Sequence, residues 1–341
     1  MCARLNGGCL GGRMMRLLLL GAGFTRNWNG WLAGELADDL ISRLSTDRDL
    51  SHRLIVNPNF EGVLGDLQRE WANTRQDAQR QRLDRMQEAI RSSFDDMNRM
   101  LADQPGLEFP GAPIFAGRTV ADFLARFDAI FTLNQDLLLE LHYRPPMLPV
   151  GRGGWADRPQ FPGMRVPQNF WALRATERLV AEWRPLPEAD YRVEGGCQPV
   201  FKLHGSVNWR SANDGDLLVM GANKVEAIAG SSLLTWYADE FRARLREPGS
   251  RLMTIGYGFG DQHINNEIVE AANNDPTFGL FVVDPNGRKV LRPRSEGQIP
   301  LPPQPIEGVR YIGGSTRPLR STFTGDELER GKLMRFWRID R

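Results

Sequence analysis

Three segments of this chain place small or polar residues directly after an apolar run. They are Gly21-Ala-Gly-Phe-Thr25 after Met14 to Leu20, Thr132-Leu-Asn-Gln-Asp136 at the end of Ala129 to Leu133, and Phe201-Lys-Leu-His-Gly-Ser206 at the end of Pro199 to Leu203. Side chains just past the carboxyl ends of parallel strands converge on one crevice of an open α/β sheet. We therefore expect Asn134, Asp136 and His204 to share a site, although they lie far apart in the sequence.

The first segment has the composition of a phosphate-binding turn. Gly21 and Gly23 carry no side chains, so backbone N–H groups of the turn are able to approach a pyrophosphate at the amino end of a helix. A full G-x-G-x-x-G fingerprint needs a further glycine where this chain has Arg26. Taken alone, such a turn is more typical of a tight strand-to-helix connection.

Apolar runs alternate with helical patterns along most of the chain. Helical spacing extends from Trp31 to Leu44, Phe60 to Leu101, Trp171 to Trp183 and Leu233 to Leu245, and apolar runs follow at Arg251 to Ile255 and Gly279 to Val283. This alternation is typical of a parallel sheet with crossover helices. With 341 residues, 41% of them hydrophobic, the chain is able to bury a large core. We predict a doubly wound, Rossmann-like, mainly parallel sheet with a helical insertion.

The predicted elements divide the chain into a core and three additions. Residues 14–55 and 118–290 are the Rossmann-type core, residues 56–117 a helical insertion, and residues 291–341 a C-terminal extension packing on the core. Residues 1–13 are expected to be a disordered extension, or to precede the true start of the chain.

Charge and cysteine content exclude several classes of protein. A formal net charge of +1 provides no global field for nucleic acid or an acidic membrane surface, so we expect neither as a partner. The run Leu17 to Leu20 is too short to span a membrane. Cys2, Cys9 and Cys197 are too scattered for a disulfide framework or for a four-ligand zinc site. A cytoplasmic protein is expected.

The three segments, together with a fourth, resemble the sirtuin superfamily. The fourth is Gly256-Tyr-Gly-Phe-Gly-Asp261, which continues to Asn265, and the resemblance extends from Met14 to Asn286. The order of the four segments is closest to the bacterial sirtuin-like branch of NAD hydrolases. Deacylating sirtuins carry a zinc module with two C-x-x-C pairs, and this chain lacks those pairs. Protein deacylation is therefore in doubt.

The resemblance implies a role for each residue of the site. Asn134 is expected to position the ribose and the attacking water, His204 to act as general base, and Asp136 to bind the nicotinamide carboxamide. The remaining residues are expected to contact the phosphates, riboses or adenine side of NAD: Gly21, Ala22, Gly23, Thr25, Gly256, Tyr257, Gly258 and Asp284. An imidazole with its ordinary pKa of about 6.5 is suited to accept a proton at neutral pH.

Several of these residues also have ordinary structural uses. Asn134 is compatible with a helix N-cap, Asp136 with a first-turn partner of the helix dipole, and Asp284 with a cap on the Pro285 turn. His263 follows Asp261, and this pair is expected to tie the loop to the next helix as a cap.

The expected activity is hydrolysis of NAD to nicotinamide and ADP-ribose, with NAD as the substrate and with no metal required. The resemblance further implies an anti-phage effector that depletes NAD, acting as a homo-oligomer or with a partner such as a helicase-type ATPase or a short Argonaute. Alternatives are ADP-ribosyl or acyl transfer, and a sensor that only binds NAD or ADP-ribose. Hydride transfer is disfavoured by the incomplete glycine fingerprint.

Overall fold

The computed structural model describes residues 14–112, 118–146, 155–211, 214–221, 223–291, 306 and 308–338. The expectation for residues 1–13 lies outside the described residues. Among the described residues, the strands are β1 Arg16–Leu20, β2 Ala129–Thr132, β3 Met164–Arg165, β4 Arg184–Pro185, β5 Val200–Lys202, β6 Gly205–Arg210, β7 Asp216–Leu218, β8 Arg251–Ile255, β9 Gly279–Val283 and β10 Tyr311–Ser315.

The helices of the described residues are mostly short, with one long exception. They are α1 Ala22–Thr25, α2 Ala33–Arg43, α3 Arg48–Val56, α4 Phe60–Thr74, α5 Asp77–Ala102, α6 Val120–Leu124, α7 Leu138–His142, α8 Ala175–Arg178, α9 Lys224–Ala229, α10 Ser232–Leu245, α11 Gln262–Asn274, α12 Leu319–Phe323 and α13 Glu327–Arg335. Short 3₁₀ helices lie at Arg26–Trp28, Phe170–Ala172, Glu188–Asp190 and Gly287–Leu291.

The central sheet has six strands in the order β10-β9-β8-β1-β2-β5, and all the pairs are parallel. Numbered along the chain, this order is 3-2-1-4-5-6, the order of the Rossmann fold. The chain builds outward from β1 through β2 to β5, and then returns to the other side of β1 at β8. The predicted Rossmann-like parallel sheet is confirmed, and its switch point lies between β1 and β8.

The strands form because both of their faces are covered. Every residue of β1, β2, β8 and β9 is buried, which explains why these strands read as continuous apolar runs and not as alternating patterns. The expected strands Arg251 to Ile255 and Gly279 to Val283 are observed with the same ends. Two small antiparallel pairs, β3 with β4 and β6 with β7, lie outside this sheet.

The helical region from Phe60 to Leu101 is confirmed, but it consists of two helices. The chain breaks at Arg75, which ends α4 in a left-handed conformation with φ of 53°. The second helix, α5, packs against α2, α4 and α7, and its Asn98 side chain accepts a hydrogen bond from the buried N–H of Leu137. These helices thus contact the loop that follows β2. The proposed domain boundaries stay a prediction.

The helix expected from Trp171 to Trp183 is wrong. The structure has only the 3₁₀ turn Phe170–Ala172 and the four residues of α8, followed by a turn at Leu179 and Val180 and a β-bridge between Trp183 and Trp209. The Trp183 side chain is fully buried, and its ring lies edge-on to Phe170 at 4.9 Å and to Phe161 at 5.0 Å. Aromatic packing in the tertiary structure outweighs the local helical spacing.

The C-terminal segment extends the central sheet. Its strand β10, Tyr311–Ser315, pairs in parallel with β9. Phe336 and Trp337 pack against the ring of Phe127.

Across the described ranges, no helix combines the length and apolar character needed to cross a bilayer.

Candidate functional site

A cavity of about 920 Å³ lies at the carboxyl ends of the central strands. Parallel sheets of this type bind ligands where the strand order reverses, and the loops after β1 and β8 line this cavity. Ten of the eleven sequence-predicted residues line it: Gly21, Ala22, Gly23, Asn134, Asp136, His204, Gly256, Tyr257, Gly258 and Asp284. Thr25 is buried just beneath, beside Asn134 and Asp136.

The glycines of the first loop allow two backbones to touch across the switch point. Gly21 N–H donates to Ile255 O and Gly23 N–H to Gly256 O, each at 3.0 Å. A Cβ on Gly23 would lie 2.6 Å from Gly256 Cα, and one on Gly256 would lie 2.3 Å from Gly23 C. Gly256 also has φ of +61°, in the left-handed region. In this structure the glycines serve close packing, and direct phosphate contact by their N–H groups stays a prediction.

Asn134 is held by two hydrogen bonds from its side-chain amide. Its Nδ2 donates to Gly21 O at 3.0 Å and to Thr25 Oγ1 at 2.9 Å. Both amide hydrogens are therefore used, and Oδ1 is the atom of this side chain left for a ligand. Because α7 begins at Leu138, with Leu137 at its N-cap position, Asn134 is not a helix N-cap.

Asp136 belongs to the same chain of hydrogen bonds. Its carboxylate accepts from Thr25 Oγ1 at 2.9 Å and from the N–H of Leu138 at 3.0 Å. Burial raises the pKa of Asp136, while the nearby Lys202 ammonium acts in the opposite direction. The carboxylate thus orders Thr25 and the start of α7, while binding of a carboxamide stays a prediction.

Lys202, the first polar residue of the His204 segment, lies at the centre of a buried network. Its Nζ donates to Glu140 Oε1 at 2.6 Å, to Asp136 O at 2.5 Å and to Ser206 Oγ at 2.8 Å. The side chains of Lys202 and Glu140 are each only 1% exposed. This network fixes the loop after β2 to the loop after β5, and so sets the separation between Asn134 and His204.

His204 follows β5 and pairs with a second histidine. The His204 side chain is 2% exposed, and its Nε2 lies 3.1 Å from Nε2 of His263 near the start of α11. Burial lowers the pKa of His204 to about 3, although Asp261 acts to raise it. Burial also lowers the pKa of His263. Both imidazoles are therefore neutral at pH 7, the form that accepts protons.

Asp261 does not cap α11 with its side chain, contrary to expectation. Its Oδ1 instead accepts from Lys224 Nζ at 2.7 Å, and Lys224 also binds Glu61 Oε2 at 2.8 Å. Burial alone would lower the pKa of Lys224, but the two carboxylates outweigh it and the pKa is raised. Glu61 lies on α4, so this helix supplies part of this wall of the cavity.

Tyr257 and Asp284 each make bonds within the protein. The buried Tyr257 hydroxyl donates to Asn265 Oδ1 at 2.8 Å, which joins the loop after β8 to α11. Asp284 Oδ1 accepts a hydrogen bond from the N–H of Asn286 at 2.8 Å. Asp284 therefore caps the turn at Pro285, as its structural alternative predicts. Arg317 and Arg320, from the segment after β10, line the cavity alongside Asp284. Contact of Tyr257 or Asp284 with a nucleotide stays a prediction.

Sequence reasoning missed the residues that support the site from a distance. Glu61 and Lys224 lie in helices whose patterns show only which side is buried, and no local signal pairs them. The contact between His204 and His263 was likewise unexpected. Within the described residues, His204, Asp261 and His263 also form a group of possible metal ligands, with one ligand atom from each lying within 4.8 Å of the others.

The strand order and the cavity at the switch point define a Rossmann-like α/β protein. The family model of the SIR2-like domain matches residues 128–298, which is half of the chain. The chain therefore belongs to the SIR2-like domain family, whose members use NAD, and the expected relationship to sirtuins is confirmed. Strand β1 and its glycine turn precede the matched range. Among curated proteins, none matches this chain.

Proposed function

We propose that this protein is an NAD hydrolase that cleaves the bond between nicotinamide and ribose, giving nicotinamide and ADP-ribose. The observation that carries the proposal is the placement of Asn134 and His204 on one cavity of about 920 Å³ at the switch point. Two polar side chains with free acceptor atoms serve hydrolysis, whereas a site that only binds NAD has little use for both.

The strand order supports an extended dinucleotide along the sheet edge. Asp284 follows β9 and His204 lies just beyond β5, four strand positions away. At about 4.8 Å for each position, the two sites lie roughly 19 Å apart. We place the adenosine end near Asp284 and Arg317, the pyrophosphate at the switch point, and the nicotinamide ribose near Asn134 and His204.

The bond cleavage needs little beyond positioning and a proton acceptor. Positive charge builds on the anomeric carbon as nicotinamide leaves with the bonding electron pair, and water then adds to that carbon. Asn134 Oδ1 accepts a hydrogen bond from water or a ribose hydroxyl, because its amide hydrogens are held by Gly21 and Thr25. Neutral His204 takes the proton released by the water.

We further propose that depletion of NAD makes this protein the toxic effector of an anti-phage system, triggered by self-association or by a partner such as a helicase-type ATPase or a short Argonaute. This part rests on the resemblance to bacterial sirtuin-like NAD hydrolases. Infection of cells carrying either the parent gene or a His204→Gln version tests it. Protection and NAD loss in the parent cells alone would support the effector role, and equal protection by both would contradict it.

Chromatography of NAD reactions tests the hydrolase. The purified full chain, alone and with candidate partners, is compared with Asn134→Ala and His204→Gln, with His52→Gln at an exposed position as the matched control. We expect the parent and His52→Gln to release nicotinamide and ADP-ribose at the same rate as each other. The rate of NAD hydrolysis should fall at least about 100-fold in Asn134→Ala and His204→Gln. Nicotinamide without free ADP-ribose would indicate transfer instead. Binding of NAD by calorimetry without turnover under any condition would indicate a sensor.

A further inference from the structure

His263 lies against the imidazole of His204, with the two ring centroids 5.2 Å apart. His204 lines the cavity, whereas His263 is not among the lining residues. The 3.1 Å contact joins Nε2 of one imidazole to Nε2 of the other. Neutral imidazole carries one N–H, so one ring donates in this contact and the other accepts.

This contact restricts which nitrogen of His204 meets the substrate. Since Nε2 of His204 contacts His263, Nδ1 is the ring nitrogen that this contact leaves for another partner. When His204 carries its hydrogen on Nε2, Nδ1 holds a free lone pair, and His263 accepts the hydrogen bond. When His263 is the acceptor in this contact, His204 is therefore in the tautomer that is competent as a base at Nδ1.

We propose that His263 is the proton-relay partner of His204, and this inference rests on the proposed hydrolysis of NAD. As water forms the new bond to the anomeric carbon, its O–H bond breaks and the proton goes to Nδ1 of His204. The Nε2 proton of His204 then moves to Nε2 of His263. Nicotinamide keeps the electrons of the broken C–N bond and leaves neutral. His263 acts through His204, so it is a positioning residue.

The surroundings favour a proton on the histidine pair over a metal ion. Asp261 faces both imidazoles, and its charge stabilises an imidazolium. Its carboxylate is already bound to the Lys224 ammonium at 2.7 Å, and a metal ion at the same carboxylate would meet that positive charge. Glu267 also acts to raise the pKa of His263 and is bound to Arg242, while Glu61 is bound to Lys224.

Chemical rescue separates a relay from a structural contact. In His263→Ala we expect kcat for NAD to fall about 100-fold with little change in KM, because the substrate does not touch His263. Added imidazole should raise the rate of His263→Ala at least about 10-fold. With substituted imidazoles, the size of this increase should follow the pKa of the added imidazole. His263→Gln keeps a polar side chain but does not carry a proton, and should stay as slow as His263→Ala. His52→Ala, at an exposed position, is the matched control for rate and for imidazole effects.

A second measurement is made on the folded full chain without substrate. The chain has four histidines, so ¹⁵N spectra of labelled imidazoles can be assigned by single substitutions. We expect His204 to carry its hydrogen on Nε2 and to lose this fixed tautomer in His263→Ala, which removes the acceptor. Spectra with His204 protonated only on Nδ1 in the parent would overturn the relay.

The possible results separate the relay from the hydrolase itself. Turnover that His263→Ala leaves unchanged, or a loss that imidazole does not rescue in a folded variant, overturns the relay alone. Loss of parent activity in EDTA with recovery in Zn²⁺ also overturns it, in favour of a metal at His204 and His263. Absence of NAD turnover by the parent overturns the proposed function and the relay with it.

Discussion

Replacing Lys202 by Met should strongly destabilise the fold, because among the described residues it removes the only cation bonded to the Glu140 carboxylate. Both side chains are 1% exposed, and Lys202 Nζ bonds to Glu140, to Asp136 O and to Ser206 Oγ. Removing one partner of a buried pair costs about 3–5 kcal/mol, since the remaining charge has no compensation. We expect a loss of this size in the free energy of unfolding at pH 7.5.

The loss of stability caused by Lys202→Met should become larger as pH rises. Burial raises the pKa of Glu140, and Lys202 opposes that rise. Without Lys202 the folded-state pKa rises further above the unfolded one, so the native state binds a proton more readily than the unfolded chain. The contribution of Glu140 to stability is then fully present below the unfolded-state pKa and is lost as pH rises through the folded-state pKa, at up to about 1.4 kcal/mol per pH unit.

Urea unfolding of the full chain between pH 5 and pH 8 measures both effects. Lys289→Met makes the same change at an exposed site and should shift stability by less than about 0.5 kcal/mol. The double variant Lys202→Met, Glu140→Leu should recover at least about 2 kcal/mol relative to Lys202→Met, because no buried charge remains. A Lys202→Met cost below about 1 kcal/mol, or one that is the same at pH 5 and pH 8, would refute this account of the network.

Two further predictions concern the switch point and the base. Gly256→Ala should destabilise by about 3 kcal/mol, from left-handed strain and contact with Gly23, whereas Gly258→Ala should cost less than about 1 kcal/mol, because its Cβ meets no atom within 4 Å. Thermal unfolding of both variants tests this, and equal losses would contradict it. Since the pKa of His204 is about 3, its base form should persist on acidification, and kcat/KM should stay level from pH 8 to about pH 5. An acid limb near pH 6.5 in NAD assays would show that His204 titrates normally.

The positions of the cavity residues were predictable in part because strand ends are visible in the sequence. Continuous apolar runs mark strands buried on both faces, so Arg251 to Ile255 and Gly279 to Val283 were located to the residue. The polar residues after such runs must lie at one edge of a parallel sheet, which is why Asn134 and His204 were expected together. Helix α5 was expected because its apolar residues repeat at helical spacing. The end of α4 at Arg75, by contrast, was not predicted by any pattern in the sequence.

The amino-acid sequence alone determined the class of fold, the family resemblance and the residues at the strand ends, because each of these follows from local composition and order. Tertiary structure decided which distant groups touch: Gly23 with Gly256, His204 with His263, and Glu61 with Lys224. Local patterns specify which side of an element is buried, but strand order and helix packing set the distances between elements. The charge and hydrogen bonds around His204 depend on those distances, so they appear only in the folded chain.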